Sequence, residues 1–208
     1  MTTRGYSDRI SHAFSFAAKH FPVRPGRGSG LSHLTRPANV AVILTRYGCD
    51  EHTVVAGILR YLVEETHPIG KAEIERKIGD KFGAAVLSVV REVLEPRYDD
   101  RGKERPWQAC KMDYLANLVV AEPRTLDLCA AGEIHLAASI LTDVRRLGVE
   151  YVTTFTKASA KESLWWYHEV VEVLRAHREW PRRAMLEELS GLTAQLAAEL
   201  DGADEGLA

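Results

Sequence analysis

The chain has 208 residues, which is enough for one large domain or two small ones with a buried core. Hydrophobic residues make up 46% and charged residues 27%, which is typical of a soluble globular protein. The formal net charge is −2, so the overall charge gives no reason to expect nucleic acid or an acidic membrane surface as a partner.

The cysteines and the apolar runs bear on where the protein works. Cys49, Cys110 and Cys129 lie far apart and form no CxxC pair, so we expect a reducing compartment and no disulfide framework. The amino-terminal stretch MTTRGYSDRISHAF has no signal-peptide pattern, and no apolar run reaches the roughly 18 residues that a membrane span needs. We therefore predict a cytoplasmic protein without a membrane partner.

The first half of the chain has the apolar spacing of helices. One helix face is formed by Ile10, Phe14 and Ala17. A second helix carries Val40–Tyr47 and ends at Gly48, and Asp50 is the predicted N-cap of a third helix. The third helix ends before His67-Pro68, because proline disfavours the helical state of the preceding residue. Its apolar positions are Val54, Val55, Ile58, Leu59 and Leu62.

The second half continues the helical pattern. A short helix around Lys71–Asp80 is broken at Phe82-Gly83, and the nearly all-apolar helix over Val86–Leu94 is typical of central burial. Residues Glu95–Arg105 are polar, contain Pro and Gly, and are interpreted as an exposed loop. Further helices are predicted from Trp107 until Pro123, over Leu126–Leu147 with a break at Gly132, over Ala158–Arg178 and over Arg182–Leu200.

These patterns predict an all-α fold in a single domain over residues 1–200. We expect the tail at residues 201–208 to fray. Residues Tyr151–Thr156, with the sequence YVTTFT, are the one stretch that favours a strand, because β-branched and aromatic residues dominate it.

A loop rich in Gly and Arg, Phe21–Pro37, is the first candidate for binding chemistry. It carries Arg24, Arg27 and Arg36, and arginine forks match the geometry of phosphate oxygens. The loop lacks the GxxxxGK[ST] spacing of a P-loop, so an NTPase is not indicated. The alternative interpretation is a flexible, solvated connector.

Two carboxylates are the candidates for acid–base chemistry. Glu64 and Glu65 follow an apolar helix, and adjacent residues point about 100° apart, so one could face a cleft while the other faces water. The alternative is a solvated helix end. The histidines are scattered, and no HxxxH or HExxH pair indicates a local metal site.

Four stretches, in the same order and at compatible spacing, carry a resemblance to a known family. They are AFSFAAKHF with the Gly/Arg loop after it, RPANVAVILTRYGCDEHTVVAGILRYLVEET, IERKIGDKFGAAVLSVVREV and EIHLAASILTDVRRL. From about Ile10 to Arg175 the chain resembles the HD-type hydrolase domain of the RelA/SpoT family, and it is most similar to the small stand-alone alarmone hydrolases. The resemblance implies an HD-domain-like helical bundle, manganese as cofactor and removal of the 3′-pyrophosphate of ppGpp.

The manganese ligands implied by the resemblance are replaced in this chain. The family's first metal-binding His falls on Arg36, its His-Asp doublet on Arg60-Tyr61 and its last Asp on Ala138, while a polar Asn falls near Thr142. Arginine stays protonated and offers no acceptor lone pair, so we predict that no metal is bound there. A shifted shell remains as an alternative, made of His33, His135 and Asp143.

Three functions follow, and the first treats the chain as a catalytically degenerate homologue without enzymatic activity. It would be a regulatory module that binds a guanine nucleotide or another protein. The candidate ligand-binding residues are Arg24, Arg27, Arg36, Arg60, Tyr61 and Thr142.

The other two functions differ in what happens at the former metal position. In one, the protein is an active phosphohydrolase with a relocated metal or metal-free chemistry, and Glu64 and Glu65 are its acid/base residues. In the other, it is a structural or protein-interaction protein whose pocket is filled by Arg60 and Tyr61. Arg60 would then pair with Glu64, four residues along one helix face, or with Glu65.

Overall fold

The computed structural model describes residues 7–21, 33–99, 101–150 and 158–204. Within these ranges the chain is helical, and an isolated bridge between Tyr98 and Glu104 is the only extended pairing, so the all-α prediction is confirmed. The helices are α1 (Asp8–His20), α2 (Thr35–Arg46), α3 (Glu51–Glu65), α4 (Pro68–Phe82), α5 (Ala84–Glu92), α6 (Trp107–Val119), α7 (Pro123–Leu147), α8 (Ala160–Ala176) and α9 (Arg183–Asp204).

Helix α3 runs through the middle of the core. Every residue from Thr53 to Val63 is buried, as expected for a helix that is apolar on all sides. Asp50 starts the helix, because its Oδ1 accepts the Thr53 amide over 2.8 Å. The helix stops at Thr66, just before the proline that opens α4. Helices α1, α2, α5 and α7 pack around it.

Helix α7 is the second central element, and it differs from its prediction. Gly132 was expected to break it, but α7 is continuous from Pro123 to Leu147, and Gly132 is buried in its middle. The helix ends at Gly148, whose φ of +89° suits glycine because it has no Cβ. The packing of α7 against α2, α3 and α9 explains why a glycine is tolerated within the helix.

Four predicted segments differ from the structure or lie outside the residues that it describes. The loop at Glu95–Arg105 has no regular structure except its bridge, but the Glu95 side chain is only 13% exposed, so the loop is not uniformly exposed. Helix α9 continues past Leu200 to Asp204. The strand expected at 151–156 and residues 205–208 lie outside the described residues.

Candidate functional site

An ion pair between Arg60 and Glu64 occupies the carboxyl-terminal half of α3. Arg60 Nη2 donates to Glu64 Oε1 over 2.7 Å, and Arg60 Nε donates to the same oxygen over 3.2 Å. The two side chains are 7% and 5% exposed, so water screens the pair very little. The residues stand four apart on one helix face, and the pairing expected from that spacing is present.

Tyr61 lies between two guanidinium groups. Cζ of Arg36 is 4.3 Å from the centroid of the Tyr61 ring, and Cζ of Arg60 is 4.9 Å from it. Tyr61 is 3% exposed, so both cation–π contacts are largely shielded from water and are stronger than they would be at the surface. Because Arg36 belongs to the first turn of α2, these contacts join the start of α2 to the end of α3.

Gly132 is the α7 residue that closes this cluster. A Cβ atom at position 132 would lie 3.2 Å from Tyr61 Oη and 3.3 Å from Arg60 Nη1, tighter than ordinary van der Waals contact. Ala138, the position suggested by the resemblance, is six residues further on, about 240° around the helix and about 9 Å along its axis. The α7 position that faces Arg60-Tyr61 is therefore Gly132.

Two buried polar atoms in this cluster lack a hydrogen-bond partner, Arg36 Nε and Tyr61 Oη. Arg36 makes no hydrogen bond or ion pair with another residue in the described ranges, and its principal contact is the Tyr61 ring. An unmade hydrogen bond of a buried group costs about 1–3 kcal/mol, so such groups ordinarily have a partner. The guanidinium of Arg36 therefore has donors to offer to an acceptor outside the described residues.

The charges around Glu64 keep its carboxyl ionised. Burial raises the pKa of Glu64, but the positive charges of Arg60, Arg36 and Arg97 together outweigh burial and leave the pKa below its ordinary value. Glu64 is therefore a carboxylate at neutral pH and a weak proton acceptor. Burial, followed by the charge of Arg36, lowers the pKa of His135 to about 4, so its imidazole is neutral at neutral pH.

The residues at the positions that the resemblance assigns to manganese do not fit that ion. No group of three or more His, Cys, Asp or Glu side chains in metal-binding geometry occurs among the described residues. His33, His135 and Asp143 are all described and do not form such a group, so the alternative shell is wrong. Arg60 already occupies Oε1 of Glu64, the carboxylate that pairs with it.

The remaining predicted site residues are dispersed. Arg24 and Arg27 lie outside the described residues. Thr142 is exposed, and its hydroxyl donates to the Ala138 carbonyl of its own helix over 2.8 Å, so it does not join the cluster. Glu65 is partly buried and lies close enough to Arg97 to raise the pKa of that guanidinium.

Sequence reasoning missed the part that Gly132 plays in the site. It took Gly132 as a break, although a glycine within a helical pattern can instead mark close packing. Outside the site, nothing in the sequence indicated a partner for the Trp166 N–H. In the structure Trp166 Nε1 donates to Glu133 Oε2 over 3.0 Å, and Lys111 Nζ lies 4.0 Å from the centroid of a Trp166 ring.

Comparison with known proteins identifies the fold family. The profile of the HD-domain family matches residues 13–123, more than half of the chain. This chain belongs to the HD-domain family. The HD domain and its helical bundle, both expected from the sequence, are thus confirmed. A comparison with curated proteins finds no match.

Two solved structures resemble this HD domain. The 1.85 Å crystal structure of lmo0812 from Listeria monocytogenes EGD-e has a TM-score of 0.64 at 21% identity, over 76% of this chain and 96% of that one. A metazoan ortholog of SpoT that hydrolyzes ppGpp has a TM-score of 0.67 at 22% identity, over 93% of this chain and 98% of that one. At these identities the likeness shows the fold alone. None of the described helices is long and apolar enough to cross a membrane.

Proposed function

We propose that this HD domain has lost metal-dependent hydrolysis and acts as a regulatory module that binds an anionic ligand without a metal ion. The observation that carries the proposal is Arg36, whose guanidinium is stacked on Tyr61 and whose buried Nε has no hydrogen-bond partner. Guanidinium groups suit phosphate because their N–H donors form a planar fork. Arg36 thus supplies charge where a metal hydrolase would hold its cation.

A guanine nucleotide is the ligand class we propose. The structurally similar metazoan ortholog of SpoT hydrolyzes ppGpp, so a nucleotide with several phosphates suits a related fold in which Arg36 and Arg60 lie beside Tyr61. Arg24 and Arg27 precede Arg36 by twelve and nine residues and would supply further donors to the phosphates. Arg60 contributes less, because Glu64 already takes two of its N–H groups.

Loss of hydrolysis is proposed from the chemistry of the residues that replace the metal ligands. Arg36 and Arg60 cannot coordinate a cation, and Gly132 has no ligand atom. Glu64 is the remaining candidate base, but its lowered pKa makes it weak, and the Arg60 ion pair holds its oxygen. Without a metal, nothing in the cluster would generate a hydroxide nucleophile at neutral pH.

Two measurements on the purified protein test this proposal. The first is ppGpp turnover with added manganese, followed by chromatography of the products, with an active homologue as positive control; we expect no turnover. The second is calorimetric titration of ppGpp in the presence of a chelator. We expect binding that the chelator leaves unchanged and that Arg36→Gln weakens by about ten-fold or more, because a charge-assisted hydrogen bond is lost.

The matched control is Arg76→Gln. Arg76 is an exposed arginine of α4 that pairs with Glu73 and Asp80, so its removal changes net charge equally without touching the site. Manganese-dependent loss of the 3′-pyrophosphate would overturn the loss of hydrolysis. Equal weakening by both substitutions would overturn the role of Arg36.

The filled pocket is the second candidate function. It is favoured by the Arg60–Glu64 pair at 2.7 Å and by the stacking of Tyr61, which together occupy the space between α3 and α7. A protein that recognises another protein would need no open pocket here. If ppGpp, GDP and GTP all fail to bind at millimolar concentration, this second function replaces the first.

A further inference from the structure

A separate cleft of about 190 Å³ opens between α6, α7 and α8. Trp107 and Lys111 of α6, Leu136 and Ile140 of α7, and Trp166 of α8 form most of its walls. None of Arg36, Arg60, Tyr61 or Glu64 lines it, so it is not the site described above.

The aromatic walls of this cleft are held in fixed positions. Trp166 is 3% exposed, and the hydrogen bond from its Nε1 to Glu133 fixes its ring orientation. Trp107 meets Trp165 edge to face, with ring centroids 6.1 Å apart. Flat surfaces that are already ordered bind a planar ring at little entropic cost. The lining therefore favours an aromatic ligand.

Two hydrogen-bond donors stand at the edge of this largely apolar lining. Lys111 has three N–H donors, and Glu95 at 2.7 Å is its carboxylate partner. Glu95 also accepts from Arg97 Nε over 2.8 Å, so one carboxylate is shared by two cations. Ser163 also lines the cleft, and its hydroxyl makes no side-chain hydrogen bond to another described residue. An anionic group would accept from Ser163 and from an N–H of Lys111 that Glu95 does not take.

The size of the cleft limits the ligand. Pockets for drug-sized molecules hold about 300–1,000 Å³, and this cleft is smaller. It can accept one or two fused rings with a short substituent, but not a whole nucleotide.

We propose that the cleft binds a small aromatic carboxylate of one or two rings. Its ring would lie against Trp107 and the apolar side chains of Leu136 and Ile140, and its carboxylate would accept hydrogen bonds from Lys111 and Ser163. The proposal does not depend on the Arg36 site, because the two sites share no residue.

The test is calorimetric titration of the full chain with indole-3-carboxylate and, separately, with neutral indole. We expect the carboxylate to bind with a dissociation constant below about 1 mM and indole to bind about ten-fold more weakly, because the charge-assisted bond is missing. Lys111→Met is expected to weaken the carboxylate about ten-fold while leaving indole unchanged, and Lys111→Arg to retain most of the affinity. Lys71→Met, on α4 and outside the cleft lining, is the charge-matched control and should change the affinity of neither probe.

Lys111→Met also leaves Glu95 with fewer partners, so circular dichroism must show that the variant is folded. If it is not, Trp107→Leu replaces it, and this variant is expected to weaken both probes because it removes a ring wall. The proposal is overturned if indole-3-carboxylate does not bind at about 5 mM. It is equally overturned if both probes bind alike in the unmodified protein, or if binding survives both Lys111→Met and Trp107→Leu.

Discussion

Two buried polar clusters lie at opposite ends of α3, and they differ in how their arginines are held. At the amino-terminal end, Trp180 Nε1 donates to Asp127 Oδ1 over 2.8 Å, and Arg182 Nη2 donates to the Gly48 carbonyl over 2.9 Å. These bonds fasten the segment before α9 to α7 and to the turn between α2 and α3. The polar groups there connect elements of the fold.

At the carboxyl-terminal end, Arg36 is stacked on Tyr61 and makes no hydrogen bond to another described residue. Nε of Arg182 also lacks a partner, but its Nη2 is bonded, whereas Arg36 has no such anchor. The hydrogen bond of Arg182 therefore explains its presence as part of the fold, whereas no hydrogen bond explains that of Arg36. An arginine that folding leaves without a hydrogen bond is the stronger candidate for ligand binding.

The largest expected effect comes from breaking the Arg60–Glu64 pair. Glu64→Gln leaves the Arg60 guanidinium buried without a carboxylate, so we expect a loss of about 3–5 kcal/mol in the free energy of unfolding, measured with urea. Replacing both residues with Met removes both charges and is expected to restore much of that stability. If the double Met variant is less stable than Glu64→Gln, the charged pair stabilises the fold by more than the apolar packing that replaces it.

The next effect concerns the close packing of Gly132. Gly132→Ala brings a methyl group to 3.2 Å from Tyr61 Oη, so we expect a cost of about 1–3 kcal/mol in urea unfolding. Gly191→Ala in α9 is the matched control, because nothing lies within 4 Å of the added Cβ, and it should stabilise by about 1 kcal/mol.

Tyr61→Phe should relieve part of the Gly132→Ala cost, because it removes the hydroxyl nearest to the new methyl group. A double-mutant cycle measures this coupling. Equal effects of the alanine substitutions at 132 and 191 would mean that Gly132 does not confine Tyr61, and the contrast between the two ends of α3 would lose its packing basis.

The sequence allowed the helices and the Arg60–Glu64 pair to be predicted because both depend on local spacing. The period of apolar residues placed α3, and the four-residue interval placed the two charges on one face. The family and its bundle followed from the order of four such segments. The contact of Gly132 with Tyr61 could not follow in this way, because it joins residues 71 positions apart and depends on how α7 crosses α3.

Sequence reasoning also treated all the arginines of the candidate site alike. Whether an arginine is paired depends on its tertiary surroundings. Arg60 forms an ion pair with Glu64 on its own helix, whereas Arg36 is stacked on the Tyr61 ring and interacts with the Glu64 charge without a hydrogen bond. The aromatic cleft was missed for the same reason, since Lys111 and Trp166 come from helices that are distant in sequence.

The smallest expected effect is the pH dependence of stability. The contributions of Glu64 and Asp127, at the two ends of α3, should change with pH in opposite directions. Arginine charges outweigh burial and lower the pKa of Glu64 from 4.5, so its stabilising contribution is present above pH 4.5 and is lost as pH falls through the folded value. Burial raises the pKa of Asp127 from 3.8, despite its bond from Trp180. Its contribution is therefore greatest below pH 3.8 and declines as pH rises through the folded value.

Urea unfolding between about pH 3 and pH 7 distinguishes these signs. The stability deficit of Glu64→Gln should shrink as pH falls below 4.5, because the unmodified protein loses the contribution that the variant lacks. The effect of Asp127→Asn should become more favourable as pH rises above 3.8, because asparagine avoids ionisation in the core. If plots of unfolding free energy against pH run parallel for both variants and the unmodified protein, both pKa directions are contradicted. If the stability difference between variant and unmodified protein changes with pH by the same amount and sign for both variants, the pKa values of Glu64 and Asp127 are shifted in the same direction.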